Sequence, residues 1–308
     1  MRVPVLTGPT GVGKTEVAVI LAERLDIDLV SADSRQVYCW LDIGTAKPAR
    51  SVRERVKYHM LDMVEPTKRY SAADFARDCR AVMHRLGSEG RKFMLVGGSG
   101  MYIRAVFRPF FEAPRPDPEL RAGLEKLDTP SLLARLRTKD PARAAQLHPN
   151  DRQRIVRALE VQEQTGRPMS ELLRESAGRQ PFEPAYFVLS MDRARLHRRI
   201  DERFDRMMSE GLLDEVRQLS ELGLKPDSDV ADAYGYAELL RHLAGEMPLS
   251  EAVDRAKAKT RAYARRQLTW CRKLERARWL EFTDAEQTAE QLHPEVRRVL
   301  DSPGPTTG

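Results

Sequence analysis

Eight residues near the N-terminus, Gly8-Pro9-Thr10-Gly11-Val12-Gly13-Lys14-Thr15, have the types and spacing of a phosphate cradle. They fit G-x-x-x-x-G-K-[ST], the P-loop pattern of ATP-binding and other nucleotide-binding proteins. The glycines let the backbone turn tightly and aim several N–H groups at one anion. Lys14 adds a point charge for a phosphate oxygen, and Thr15 offers a hydroxyl to a Mg²⁺ ion. The bland alternative is a glycine-rich turn with a surface lysine. Its flanks argue against that. Val3, Val5 and Leu6 read as a short buried strand, and Glu16 to Leu25 as a helix with Val17, Ile20, Leu21 and Leu25 on one face. A helix starting at the cradle adds the positive pole of its N-terminus.

Further residues with chemical potential stand at predicted strand ends. Asp28 to Asp33 reads as a second strand ending in a carboxylate, followed by DSRQVY (Asp33 to Tyr38) and the loop-like LDIGTAKP (Leu41 to Pro48). Lys92 to Val96 reads as a third strand and runs directly into GGSGMY (Gly97 to Tyr102). An ordinary P-loop ATPase has an apolar strand ending in an Asp that holds the metal's water shell. Here that strand ends in two glycines, and Asp33 sits where a base acting on an acceptor would sit. Arg193, Arg195, His197, Arg198, Arg199 and Arg203 share one predicted helix, more basic than a solvated face needs, although a charged surface remains open for each one individually.

The elements that must position these groups alternate as β-loop-α-β-α-β, the pattern of a parallel sheet with helices on both faces. Ligands of such sheets gather at the carboxyl ends of the strands, where the P-loop, Asp33 and the GGSG turn all lie. Ser71 and Asp74 have capping-box spacing for a helix to about Leu86, on which Cys79 falls in phase with Phe75, Val82, Met83 and Leu86. APRPDPEL (Ala113 to Leu120) reads as a linker, and Leu120 to about Leu173 as helical throughout. Tyr186 to Leu189 resumes the sheet. Asp192 then starts a helix with Leu196, Ile200, Phe204 and Met207 on one face, Gly211 breaks it, and Leu212 to Leu222 forms the next. Ala252 to Leu280 reads as one long helix, and between Asp254 and Arg278 it carries ten Lys or Arg against two acids. The expected fold is α/β, a P-loop NTPase-like parallel sheet flanked by helices with an inserted all-helical domain. Residues 1–112 form the first part of the core, 113–184 the insertion and 185–300 the second part with its basic C-terminal helices; 301–308 form a disordered tail.

Bulk properties narrow the class. The chain has 308 residues, with 52 Lys plus Arg against 46 Asp plus Glu, a net charge of +6 and a pI near 9.3. Its three cysteines, Cys39, Cys79 and Cys271, form no C-x-x-C pair, so neither a zinc site nor a disulfide framework is expected. With no run of about 18 apolar residues and no signal peptide, a cytoplasmic protein that does not cross a membrane is expected. A monomer without an obligate protein partner is the default, since no exposed apolar helix seam is evident.

Taken in order, GPTGVGKT, DSRQVY, DIGTAKP, YSAADF (Tyr70 to Phe75), VGGSGMY, RIVRALEV (Arg154 to Val161), TGRPMSEL (Thr165 to Leu172), RIDERF (Arg199 to Phe204) and TRAYARRQLTW (Thr260 to Trp270) resemble bacterial-type tRNA dimethylallyltransferase, also called tRNA isopentenyltransferase. The resemblance runs through most of the chain up to about Trp270. It implies transfer of a dimethylallyl group from dimethylallyl diphosphate to N6 of the adenosine just 3′ of the anticodon, so that the cradle holds a leaving diphosphate. Position by position it implies that Gly8 to Thr15 bind the diphosphate with Thr15 towards Mg²⁺, that Lys14 and Arg199 clamp it, and that the Ser99 hydroxyl, where the family usually has Thr, reaches the donor's bridging oxygen. Asp33 would be the general base. Asp33, Ser34, Arg35 and Gln36 would contact the target nucleotide, Gln36 reading a base edge. Gln153, Arg154, Ile155, Val156 and Arg157, together with Arg121, would contact the anticodon arm. Tyr38, Trp40 and Tyr102 are open to base stacking or to packing. Two departures stand out: Ala237 follows a Gly-Tyr pair where the family often has a basic residue, and the zinc module of eukaryotic members has no counterpart, leaving Mg²⁺ as the expected metal.

Three other readings have distinguishing features. An adenylate prenyltransferase acting on a free nucleotide needs no helical insertion and no basic surface. A small-molecule kinase needs a second carboxylate for Mg²⁺. An RNA-binding P-loop protein without turnover has no use for Asp33.

Overall fold

The apolar runs become parallel strands because both of their faces are covered. A computed structural model of the chain describes residues 1–107, 114, 117–175, 182–232 and 234–302. Among them one sheet has six strands: β1 (Arg2–Thr7), β2 (Asp28–Ser31), β3 (Tyr58–His59), β4 (Phe93–Val96), β5 (Glu183–Ser190) and β6 (Arg278–Glu281). Their order is β3-β2-β4-β1-β5-β6 and every pairing is parallel. In β4, Phe93 and Leu95 enter one core and Met94 and Val96 the other. This is the period-two alternation of a strand buried on both sides. β1 repeats it, with Val5 in the first core and Leu6 in the second.

The described helices, in chain order, are α1 (Lys14–Leu25), α2 (Arg50–Arg55), α3 (Ala72–Ser88), α4 (Gly100–Phe107), α5 (Pro118–Glu125), α6 (Thr129–Lys139), α7 (Pro141–Gln146), α8 (Arg152–Thr165), α9 (Met169–Glu175), α10 (Arg193–Ser209), α11 (Leu212–Glu221), α12 (Tyr236–Leu243), α13 (Leu249–Cys271) and α14 (Ala285–Asp301). The capping box of α3 forms in full: Asp74 N donates to Ser71 Oγ at 3.2 Å and Ser71 N to Asp74 Oδ2 at 3.0 Å. Cys79 is in the core on the same buried stripe as Phe75, Met83 and Leu86. The expected apolar face of α10, Leu196, Ile200, Phe204 and Met207, is buried, which turns its arginines onto the other faces.

The chain divides into two compact units, Met1–Phe107 with Pro181–Gly308, and Arg108–Gln180. The second has its own core, built from Leu132, Leu136, Ile155, Val156, Leu159 and neighbouring apolar residues. Asp117, Asp128, Asp140 and Asp151 cap the N-termini of α5, α6, α7 and α8 by accepting a backbone N–H of the first turn. An Asp there satisfies an orphan donor and complements the helix dipole.

Several expectations change. Ala252 to Leu280 is not one helix: α13 ends at Cys271, and Arg278–Glu281 forms β6 against β5, with Leu189 paired to Leu280. Only Leu280 of the four is buried, so the segment carries no periodicity of its own, and pairing to β5 makes it a strand. The two-residue β3 escapes periodicity for the same reason. Asp301 closes α14 and pairs with Lys92 at 2.6 Å rather than opening a tail, while 303–308 lie outside the described residues. The expected linker ends in helix, since Asp117 caps α5 and Pro118 begins it; 113, 115 and 116 lie outside the described residues.

Candidate functional site

The loop between β1 and α1 lines a cavity of ≈ 730 Å³ at the carboxyl ends of the strands. Gly13 has φ +110°, and a Cβ there would stand 2.4 Å from the Phe282 ring, so both the turn and the packing require glycine. Lys14 Nζ donates to the carbonyls of Gly8 at 3.0 Å and Pro9 at 2.8 Å. Burial pushes its pKa from 10.5 down to about 8, opposed in part by the negative charge of Asp33. Two arginines of α10 reach the loop. Arg199 Nε donates to Gly11 O at 3.1 Å and its guanidinium lies 5.1 Å from the centroid of the Phe282 ring. Arg203 Nη2 donates to Thr10 Oγ1 at 2.7 Å. The basic run on this helix included Arg203 without giving it a phosphate role. The i, i+4 spacing from Arg199 was the available signal, since it puts both on one helix face.

Asp33 lines the same cavity. Its Oδ1 accepts from Arg35 N at 2.8 Å and Gln36 N at 3.3 Å, and its Oδ2 accepts from the Tyr234 hydroxyl at 3.1 Å. It is in no ion pair among the described residues. The other members of DSRQVY are engaged within the protein. Gln36 Oε1 accepts from Ser31 Oγ at 3.0 Å and Nε2 donates to the carbonyls of Thr45 at 3.2 Å and Ala46 at 3.3 Å, bracing the LDIGTAKP loop. Arg35 Nη1 donates to Ser34 O at 3.1 Å. Ser99 is buried: its Oγ accepts from Ser34 N at 2.8 Å, and Gly97 and Gly98 line the cavity while Ser99 does not. Tyr38 and Tyr102 pack in the core, Tyr102 stacked on Phe75 at 4.3 Å, whereas Trp40 is 52% exposed.

A residue to which no role was attached, Gln267 of α13, joins two of the loops. Its Oε1 accepts from Thr10 N at 2.8 Å and its Nε2 donates to Gly98 O at 2.9 Å, all in buried surroundings. A Cβ at Gly98 would stand 2.3 Å from that nitrogen, which explains the second glycine of the GGSG turn. The LDIGTAKP loop is clamped equally firmly. Buried Lys47 bonds to Asp42 and Asp62, each at 2.6 Å, and to Tyr38 O at 2.9 Å. The Glu215 carboxylate accepts the N–H groups of Asp42, Ile43 and Gly44 and the hydroxyl of Tyr236.

The family model described as IPP transferase matches residues 36–274. This chain belongs to the IPP transferase family. The tRNA dimethylallyltransferase 1 of Citrifermentans bemidjiense is 43% identical over 92% of this chain and 92% of its own length. The tRNA dimethylallyltransferase of Geobacter sulfurreducens is 43% identical over 91% of this chain and 92% of its own. The crystal structure of full-length tRNA isopentenylpyrophosphate transferase from Bacillus halodurans superposes with a TM-score of 0.73 at 34% identity, covering 97% of both chains. A eukaryotic dimethylallyltransferase acting on tRNA gives a TM-score of 0.83 at 26% identity, covering 99% of this chain and 81% of that one. The expected parallel α/β fold is the fold of this IPP transferase, and its sheet has six strands among the described residues.

In this family member the residues expected on the helical unit divide by burial. Gln153 and Arg154 are exposed in the first turn of α8, Arg154 lying 3.3 Å from Asp151. Arg121 pairs with Glu125 at 3.0 Å, and half-buried Arg157 bonds to Glu160 at 2.8 Å and to Pro114 O. Ile155 and Val156 are 0% and 2% exposed, and their side chains belong to the core of the unit. Ala237 is buried in the first turn of α12, and its neighbour in the sequence motif, Ala233, lies outside the described residues. For a metal, Thr15 lines the cavity beside Glu16, and no group of three or more His, Cys, Asp or Glu suited to a metal occurs among the described residues. That donor set fits Mg²⁺, which binds through one or two protein oxygens, substrate phosphates and water. No described helix is long and apolar enough to cross a membrane.

Proposed function

We infer that this chain transfers a dimethylallyl group from dimethylallyl diphosphate to N6 of the adenosine immediately 3′ of the anticodon in tRNA, releasing diphosphate. The observation that carries this reading is that Asp33 and Lys14 line one cavity, with Arg199 and Arg203 bonded to the P-loop beside them. Relatives covering more than nine-tenths of the chain bear the name tRNA dimethylallyltransferase, which supports the same substrate pair.

The reaction breaks the carbon–oxygen bond of the donor and forms the N6–carbon bond; the electron pair leaves with the diphosphate. Charge therefore grows on the leaving group. The P-loop N–H groups, the Lys14 ammonium and the two guanidinium groups oppose it, stabilising the transition state more than the ground state. The adenine amine is a weak nucleophile because its lone pair is delocalised into the ring. Asp33 accepts the N6 proton as the new bond forms. Thr15 would hold a Mg²⁺ ion at the loop, where it would supply further neutralisation of the diphosphate. The five-carbon chain is suited to the apolar side chains of the lining, among them Val19, Ile20 and Val52. Gln153 and Arg154 offer exposed polar groups to the anticodon arm, and the target base leaves its stack to reach the cavity.

The test incubates the protein with labelled dimethylallyl diphosphate, Mg²⁺ and either unmodified tRNA or AMP. Label in tRNA, with a five-carbon addition on that adenosine by mass spectrometry, is expected. Asp33→Ala is expected to lower the single-turnover rate by about 10²-fold in protein that is still folded. Label in AMP alone would move the reading to a free-nucleotide prenyltransferase, and label in neither would overturn it.

A further inference from the structure

We propose that Tyr234 is a positioning residue for this transfer, whose hydroxyl holds the Asp33 carboxylate so that a single acceptor direction remains for the target amine. The proposal rests on the reading of Asp33 as the base.

A carboxylate offers about four acceptor sites, two on each oxygen. Oδ1 of Asp33 accepts two backbone N–H groups, from Arg35 at 2.8 Å and Gln36 at 3.3 Å. Oδ2 accepts the Tyr234 hydroxyl at 3.1 Å, from 201 residues away in the chain. No other described residue is hydrogen-bonded to it, so one site on Oδ2 is left facing a cavity that Asp33, Lys14, Arg203 and Tyr234 all line. With one oxygen pinned by its own turn and the other by the phenol, the carboxylate plane cannot rotate without losing a bond. An amine that must meet both a carbon centre and a base gains most from a base of fixed direction, because misorientation lowers the rate and not the affinity.

Tyr234 is built to stay in place. It is 8% exposed, and its ring stands edge-on to Tyr263 with centroids 5.8 Å apart and planes at 88°. The guanidinium of Arg266 lies 5.6 Å from the centroid of the Tyr263 ring. Its backbone has φ +55°, a region that costs a non-glycine residue free energy and that persists where surrounding contacts over-determine it. Burial first, and then the charge of Asp33, push the Tyr234 pKa well above the ordinary phenol value, so the group remains a donor to the carboxylate. A plain structural latch, tying the turn before α12 to the turn after β2, is the competing role.

Single-turnover transfer from labelled dimethylallyl diphosphate to unmodified tRNA separates the two, using the full chain in five forms: wild type, Y234F, Y234M, D33A and the Y234F–D33A double variant. Y234F is expected to lose about ten-fold in rate, the size of one lost hydrogen bond to a charged group. KM for donor and tRNA should stay within two-fold. In the D33A background the same change should alter the rate by less than two-fold, because the hydroxyl acts through a carboxylate that is no longer there. Y234M, which fills similar volume without a hydroxyl, should match Y234F. A wild-type rate in either single Tyr234 variant, or losses that multiply in the double variant, would overturn the proposal. Failure of the wild-type protein to label tRNA would instead overturn the reading of function on which it stands.

Discussion

The ammonium of Lys14 bonds to two carbonyls of its own loop and is half-buried, and this makes it titrate within a usable range. Its charged form is disfavoured by burial, so its pKa falls from 10.5 to about 8. A diphosphate bound at the loop favours the charged form. Binding therefore leaves the proton in place below pH 8 and must recruit one above it, so donor affinity is expected to fall as pH rises past about 8. Equilibrium binding of dimethylallyl diphosphate from pH 6.5 to 9.5 checks this. Lys14→Met should bind more weakly and lose the dependence, and an identical slope in that variant would show that another group carries it. Lys14 and Asp33 were legible in the sequence because each closes a local pattern, a P-loop and a strand end. Arg203 was not assigned, because which arginines of a basic helix face a loop depends on how the helix is rotated, and buried Leu196, Ile200 and Phe204 settle that rotation only after packing.

At the scale of elements, α13 acts as a strut beneath two active loops. Its buried positions are mostly small, Ala252, Ala256, Thr260 and Ala264, followed by Gln267 and Cys271. Small residues let the helix approach closely, so a Cβ at Gly100 would stand 2.4 Å from the Trp270 ring. Gln267 is the side chain on this stripe that spans from the P-loop to the GGSG turn. Replacing it by Ala leaves Thr10 N and Gly98 O buried without a partner, at about 1–3 kcal/mol each. Gln267→Ala is accordingly expected to lower the melting temperature and to raise KM for the donor more than KM for tRNA. A variant with wild-type melting and donor KM would contradict the strut. The sequence marked α13 as basic and helical, yet its buried stripe went unread because charged residues dominate the pattern.

Across the whole molecule the net charge of +6 understates how unevenly free charge is distributed. Several cations of the α13 run are neutralised: Arg255 by Glu251, Lys257 by Asp205, Lys259 by Glu238 and Arg261 by Asp201. Arg265, Arg272, Lys273 and Arg276 are exposed and form no ion pair among the described residues. These four cations are suited to neutralising phosphates, which predicts a salt slope of about −2.8 and a loss of about 50-fold in RNA affinity between 50 and 200 mM salt. Filter binding or anisotropy with an anticodon stem-loop measures this. A flat profile would mean that the basic surface does not meet the RNA backbone.

The amino-acid sequence by itself determined the P-loop turn, the parallel α/β frame and the helical character of residues 120–173, because each rests on short-range spacing: eight contiguous P-loop residues, runs of buried apolar residues, and caps such as Ser71 with Asp74. Only the tertiary structure decided which partners complete the site. Gln36 is taken up by Thr45 and Ala46, Ser99 by Ser34, the two loops are tied by Gln267, and Asp33 is met by Tyr234. β6 likewise exists because β5 lies beside it. These pairings join segments up to 257 residues apart, and no local periodicity encodes a contact whose strength comes from burial and from geometry set by the folded chain.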